Sequence, residues 1–214
     1  MNDKKSASDN GHFSQAYSLE TAEQTLEHYK DWAATYDQEV GVENAYAQPL
    51  RVADALLDRG LGKNADILDA GCGSGLSGEA LKNAGFKNID GCDFSPEMLK
   101  QARGKDCYRN LWQADLNEGQ PQIANHSYDA VTAVGIFSFG HLNADACDDL
   151  IRILKPGGLL VIALNEQYWD KGDLAPKLDS LIKNGQLEMI SKEYGDHLPG
   201  HKVNGWVIVT QMCH

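Results

Sequence analysis

No stretch of this chain constrains its fold more than DAGCGSG, residues 69–75, which stands directly behind the apolar pair Ile67-Leu68. Gly71, Gly73 and Gly75 alternate with small residues, so the backbone there can turn sharply and lie bare against a ligand. The pattern that follows, residues 74–84, is helical and stops at Gly85. The first N–H groups of such a helix point unpaired into the crevice beside the turn. Strand, side-chain-free turn and helix together make the opening unit of a parallel α/β sheet that binds a nucleotide. A second strand over residues 86–92 leads to Asp93, about twenty residues past the turn, where a carboxylate can accept both hydroxyls of a ribose.

Two kinds of nucleotide cofactor fit this arrangement. A dinucleotide site asks for G-x-G-x-x-G. Here the spacing is G-x-G-x-G, Leu76 stands where the last glycine belongs, and Gly78 comes two positions late. Asp69 adds a charge argument: its carboxylate would repel a pyrophosphate but suits a ligand carrying a sulfonium or ammonium. A nicotinamide-dependent oxidoreductase is therefore the weaker alternative. Cys72 reads as a small side chain within the loop, without the neighbours a thiol nucleophile needs.

The rest of the chain alternates in the same manner. Leu19, Ala22, Leu26, Tyr29, Ala33 and Tyr36 lie three and four apart, which predicts one helix over residues 19–36. A second helix is expected over 47–59, with Pro49 in its first turn and an inner stripe of Leu50, Ala53, Leu56 and Leu57. Ser95 and Pro96 open another, as cap and first residue. Strands are expected at 108–114, 128–134 and 159–164, the last behind the turn Lys155-Pro156-Gly157-Gly158. Helices are expected at 144–154, with Asn143 as its cap, and at 174–183. Two final strands, 187–194 and 203–212, have no helix between them and can pair antiparallel at one edge. The sum is an α/β fold with helices on both faces of a sheet.

Composition narrows the function classes. Asp and Glu number 31 against 19 Lys and Arg, for a net charge of −12. No basic stripe is present to meet the phosphates of a nucleic-acid polymer or an anionic bilayer, so both are disfavoured as partners and a small molecule is favoured. The five cysteines form no CxxC pair, which argues against a disulfide framework and for reduced thiols of the cytoplasm. The N-terminus has no apolar stretch behind its lysines, unlike a secretory signal. His197 and His201 are separated by Pro199 and Gly200, which is poor spacing for a helical ligand pair, and no metal is expected.

Four stretches, ILDAGCGSG at residues 67–75, GCDFSPEMLKQA at 91–102, YDAVTAVG at 128–135 and LKPGGLLVI at 154–162, together resemble the class I S-adenosylmethionine-dependent methyltransferases. The lead-in YKDWAATYD at 29–37 is similar to that of many small-molecule methyltransferases, closest to the methyltransferase-like group associated with the Williams–Beuren chromosomal region. The resemblance implies a Rossmann-like seven-stranded sheet of order 3-2-1-4-5-7-6 with strand 7 antiparallel. Taken with the polar run at 1–17 and the helical patterns behind it, the expected division is a flexible tail (1–17), a helical lid and first helix (18–60) and a cofactor-binding core (61–214). It further implies that the loop with Asp69, Gly71, Cys72, Gly73 and Gly75 wraps the methionine part of S-adenosylmethionine and that Asp93 takes the ribose. Phe94 and Met98 would lie against the adenine, Asp115 would meet its amino group with Leu116 alongside, and Gly135 would face the methionine. Tyr29, Trp32 and Tyr36 would form the lid.

Such a site implies direct displacement of the methyl group by an acceptor atom, leaving S-adenosylhomocysteine. The chemistry asks mainly for orientation and a dry pocket, plus a base where the attacking atom carries a proton. His141, after the fourth strand, is the leading candidate base, since imidazole titrates near neutrality. Glu166, after the fifth strand, is the second catalytic candidate. Tyr168 and Trp169 either wall the acceptor pocket or pin a loop. The chain lacks the N/D-PP-Y/F/W run of amide and adenine-amine methylation. Because the transfer demands so few specific side chains, a non-catalytic protein that only binds the cofactor is a further alternative.

Overall fold

The computed structural model describes residues 22–139 and 141–213. The expected tail 1–17 and Leu19 of the first helix lie outside the described residues. Among those described, β1 (Asp66–Ala70), β2 (Asn88–Asp93), β3 (Asn110–Gln113), β4 (Tyr128–Val134), β5 (Leu154–Asn165), β6 (Leu187–Leu198) and β7 (Val203–Met212) form one sheet ordered β3-β2-β1-β4-β5-β7-β6. The first five strands pair in parallel, while β7 runs antiparallel to both β5 and β6. The two terminal strands can pair this way because only a short connection joins them, too short for a parallel crossover.

Helices α1 (Ala22–Trp32), α2 (Gln48–Asp58), α3 (Leu76–Asn83), α4 (Pro96–Gly104), α5 (Ala146–Arg152), α6 (Glu166–Lys171) and α7 (Leu174–Lys183) flank the sheet. Period-two alternation sorts the strand residues into two layers. Ile67, Ile89, Ala130, Val161 and Val209 pack under Val52 and Leu56 of α2 and Leu81 of α3. Leu68, Val131, Leu160 and Ile162 pack under Leu150 of α5 and Leu178 and Leu181 of α7. Both faces being covered explains why β4 and β5 read as nearly continuous apolar runs.

Several expectations are corrected. The helix expected over 19–36 stops at Trp32, and a π-helical turn over Asp37–Glu43 follows, with Gly41 inside it. The inner stripe of α2 is Pro49, Val52, Ala53 and Leu56, whereas Leu50 is 61% exposed and Leu57 36%. The helical period of 3.6 accommodates either stripe, and contact with the sheet selects the one. Asp145, not Asn143, stands at the N-cap of α5, without a side-chain bond. β5 starts before the Lys155–Gly158 turn: Tyr128 faces Leu154 while Ala130 already faces Leu159, so the Pro-Gly-Gly run is looped out as a bulge. A short α6, capped by Asn165 Oδ1 accepting the Tyr168 N–H at 2.8 Å, was not expected.

Candidate functional site

The strand ends that point toward one edge of the parallel sheet build the site. Beyond β1 the chain turns at Gly71, whose φ of +68° is left-handed. A Cβ there would lie 2.2 Å from Ile136 Cγ2, so both the angle and the close approach require glycine. The turn is tied to the end of β2. Cys72 N–H donates to the Cys92 carbonyl at 2.9 Å, and Asp93 Oδ2 accepts the Gly73 N–H at 2.8 Å. Asp93 Oδ1 accepts the Ser95 N–H, also at 2.8 Å, just ahead of α4, which Ser95 caps through the Met98 N–H. Each carboxylate oxygen thus uses one lone pair on the backbone and keeps another for a ligand.

A cavity of about 170 Å³ opens over this turn. Of the residues expected at a cofactor site, Tyr29, Tyr36, Gly71, Cys72, Gly73, Asp93, Phe94, Met98, Asp115, Leu116 and Gly135 line it, as does His141. Four others sit elsewhere. Gly75 caps α3 and faces Ala102 of α4. Trp32 is 2% exposed, donates its Nε1–H to Glu39 at 2.8 Å, and lines a neighbouring cavity. Glu166 is bonded to the Tyr194 hydroxyl and lines neither cavity.

Asp69 lies beneath the loop, fully buried, rather than on the cavity wall. Its carboxylate accepts hydroxyls from Ser77 at 2.5 Å, Tyr108 at 2.7 Å and Thr132 at 3.0 Å. Burial raises its pKa, and the three hydroxyls oppose that shift. The charge argument made for Asp69 is thereby replaced by a structural one: it anchors the base of the loop. Gly78 belongs to the same anchor, because a Cβ there would lie 2.2 Å from Tyr108 Cζ.

Sequence reasoning missed Tyr46, Asn117, Ile136 and Leu142 on the cavity wall. None carries a local signal, since each lies in a connection whose path is set by tertiary packing. Asp37, at the start of the π-helical turn, accepts the Ser74 hydroxyl at 2.5 Å and pairs with Lys105 Nζ at 2.6 Å. The N-terminal segment is so fastened to the cofactor loop. Tyr168 is buried with its hydroxyl donating to Asp173 at 2.7 Å, and Trp169 packs beside Trp206 under Lys192, so both pin structure instead of walling a pocket.

Burial pushes the Asp93 carboxyl up to about 6, against the pull of the Ser95 and Gly73 amides. A ribose donates its strongest hydrogen bonds to the ionised form, in which both oxygens accept. Ligand affinity should therefore level off about a unit above 6 and fall as pH drops through it, by up to about tenfold between pH 7 and pH 5. Titration calorimetry of S-adenosylhomocysteine across this range checks the sign, and a flat profile contradicts the assignment. Burial also raises the Cys72 thiol well above its ordinary range, so it stays protonated.

Fold order, the bare turn and a carboxylate at the end of β2 lining the same cavity define a nucleotide-binding α/β protein of the methyltransferase type. Comparison with known proteins makes this specific. The methyltransferase-domain family matches residues 68–162. Human Methyltransferase-like protein 27 is 34% identical over 180 residues, which span 81% of this chain and 72% of the relative. The 18S rRNA (guanine(1575)-N(7))-methyltransferase of Saccharomyces cerevisiae is 31% identical over 133 residues, 56% of this chain but 46% of that protein. The [4+2]-cyclase SpnF superposes with a TM-score of 0.69 at 16% identity, covering 91% of this chain and 97% of that one, a likeness of fold alone. The chain belongs to the class I S-adenosylmethionine-dependent methyltransferases.

Proposed function

We propose that this methyltransferase serves a small-molecule acceptor and that His141 takes the acceptor's proton. One observation carries the reading: the bare turn at residues 71–73 and the carboxylate of Asp93 line the same cavity. The residues fit the cofactor. Asp93 offers free lone pairs to two ribose hydroxyls, Phe94 and Met98 offer apolar surface to the adenine, and Asp115 offers an acceptor to its amino group, with Leu116 alongside. Tyr29 and Tyr36 close over the cavity and exclude water. The cofactor, when bound, supplies a methyl carbon on a positively charged sulfur leaving group.

His141 is held by Nδ1, which lies 3.0 Å from the Phe139 carbonyl and 2.9 Å from Ser138 Oγ. A carbonyl only accepts, so Nδ1 bears the proton and Nε2 presents a lone pair. Burial lowers the His141 pKa, which keeps that lone pair available at neutral pH. Glu166 has no such access, so the base role goes to His141 alone. The charge of −12 argues against a polyanionic acceptor. Relatives named for larger acceptors, the yeast rRNA enzyme and the malonyl-[acyl-carrier protein] O-methyltransferase of Enterobacter lignolyticus, are spanned for 46% and 43% of their lengths. Among the described residues no helix is long and apolar enough to cross a membrane, and no group of three or more metal-ligating side chains occurs. The unpaired cysteines suit a reducing compartment, which we take to be the cytoplasm.

Calorimetry with S-adenosylhomocysteine and with NAD tests the reading. Binding of the first and silence toward the second is expected, and the reverse would sink it. A metabolite-library screen for methyl transfer, read by mass spectrometry, then identifies the acceptor.

A further inference from the structure

Beside the cofactor cavity lies a second one of about 70 Å³. Tyr29, Tyr36, Tyr46, Gly135 and His141 line both, so the two adjoin at His141. The rest of its wall carries the rings of Trp32, Phe137 and Phe139 and the polar side chains of Ser138, Asn165 and His197. Among these described residues there is no Asp, Glu, Lys or Arg.

The few polar groups present are sorted by their own hydrogen bonds. Gln48 Oε1 accepts from Arg51 at 3.4 Å, which orients the amide so that its Nε2 donates to His197 Nδ1 at 3.0 Å. His197 must then carry its proton on Nε2 and act as a donor. Burial, with Arg51 nearby, lowers its pKa to about 4, so it is uncharged at neutral pH. Asn165 Oδ1 is committed to the Tyr168 amide at 2.8 Å, which leaves its NH₂ as the free end. His141 is the opposite case: its Nδ1 is engaged, and its Nε2 is buried with no hydrogen-bond partner. Tyr29 of α1 lies T-shaped to the His141 ring, with ring centroids 5.6 Å apart.

We infer that this second chamber receives the methyl acceptor, and that it selects an uncharged, flat molecule bearing a hydroxyl or N–H toward His141 and a carbonyl-type oxygen toward His197 and Asn165. The inference rests on the methyl-transfer reading above. An aromatic wall favours a planar ligand. A carboxylate, phosphate or ammonium brought into the chamber would lose water and meet no charged side chain on its wall. The donors at His197 and Asn165 match an acceptor oxygen, and the unpartnered Nε2 of His141 matches the proton of the attacking group.

The test uses three probes on one ring: 4-hydroxyacetophenone (neutral), 4-hydroxybenzoate (anionic) and tyramine (cationic). Each is titrated into the full chain saturated with S-adenosylhomocysteine, with binding read by calorimetry and by saturation-transfer NMR. The neutral ketone should bind at least about tenfold more tightly than either charged analogue. His197→Phe keeps a ring against Tyr46 but removes the donor, and should weaken the ketone about tenfold with S-adenosylhomocysteine affinity unchanged. Equal binding of charged and neutral probes, ketone affinity indifferent to His197→Phe, or no binding of any probe each overturns the inference. The variant's unchanged affinity for S-adenosylhomocysteine certifies that it is folded, and a Ser138→Ala variant, which leaves the Phe139 carbonyl to orient His141, gives a second check should it not be: the ketone must still outbind both charged probes. Failure of S-adenosylhomocysteine to bind the unmodified chain overturns the methyl-transfer reading itself, a separate and earlier result.

Discussion

Asp93→Ala is expected to weaken S-adenosylhomocysteine binding by about 1.5–3 kcal/mol, or roughly 10- to 150-fold, because hydrogen bonds to an ionised, buried acceptor are the strong ones. Asp93 lines the cavity and already holds the turn and the start of α4 through the Gly73 and Ser95 amides. The substitution would therefore remove the proposed ribose contacts and loosen the turn at Gly73. Asp93→Asn separates the two effects: it keeps one acceptor oxygen for the backbone, removes the charge, and should abolish the pH dependence while retaining part of the affinity. Calorimetry on each variant, with circular dichroism to verify folding, reads the outcome. A folded Asp93→Ala protein that binds as tightly as the parent would remove this carboxylate from the site.

Gly78→Ala is expected to cost about 1–3 kcal/mol of stability by overpacking, and about 1 kcal/mol more for the displaced Tyr108 hydrogen bond. The added methyl would fall 2.2–2.7 Å from three atoms of the Tyr108 ring side. Tyr108 has little room to retreat, because its ring packs close against Gly91 and its hydroxyl is bound to Asp69 at 2.7 Å. For a chain of this size the midpoint of thermal unfolding should drop by roughly 4–15 °C. Gly104→Ala, at the end of α4 with nothing within 4 Å of its Cβ position, is the control and should be neutral or stabilising by about 0.4–1 kcal/mol. Thermal scans of the two variants decide the matter, and equal midpoints would refute the packing account.

These two positions show how differently the residues of one site announce themselves. Asp93 was legible because its meaning is local in the fold's logic: a strand ends, a helix begins, and a carboxylate at that junction faces the crevice in any parallel α/β unit. Ser95 and Pro96 were legible for the same reason, as cap and first residue of a helix. Gly78 looked like a misplaced glycine of another motif, and its cause is an aromatic ring thirty residues away in sequence. Asp69 stood at the expected place at the end of β1, yet the polar groups that claim it, on Ser77, Tyr108 and Thr132, come from three further segments. Nothing near residue 69 announces them. Glu166 shared a plausible position after a strand, but β5 ends beside the antiparallel edge, where Tyr194 of β6 captures the carboxylate.

Periodicity of apolar residues, glycine and proline at turns, and capping side chains were enough to determine the strand–helix alternation, the class of sheet and the crevice over the first turn, because those signals act over a few residues and need no partner. Which stripe of α2 is inward, where the first helix gives way to a π-helical turn, and how His141, Asn165 and His197 come to share one chamber were decided only in the folded molecule. Those outcomes depend on contacts between segments far apart in the chain, where several local choices are nearly equal in energy and packing selects among them.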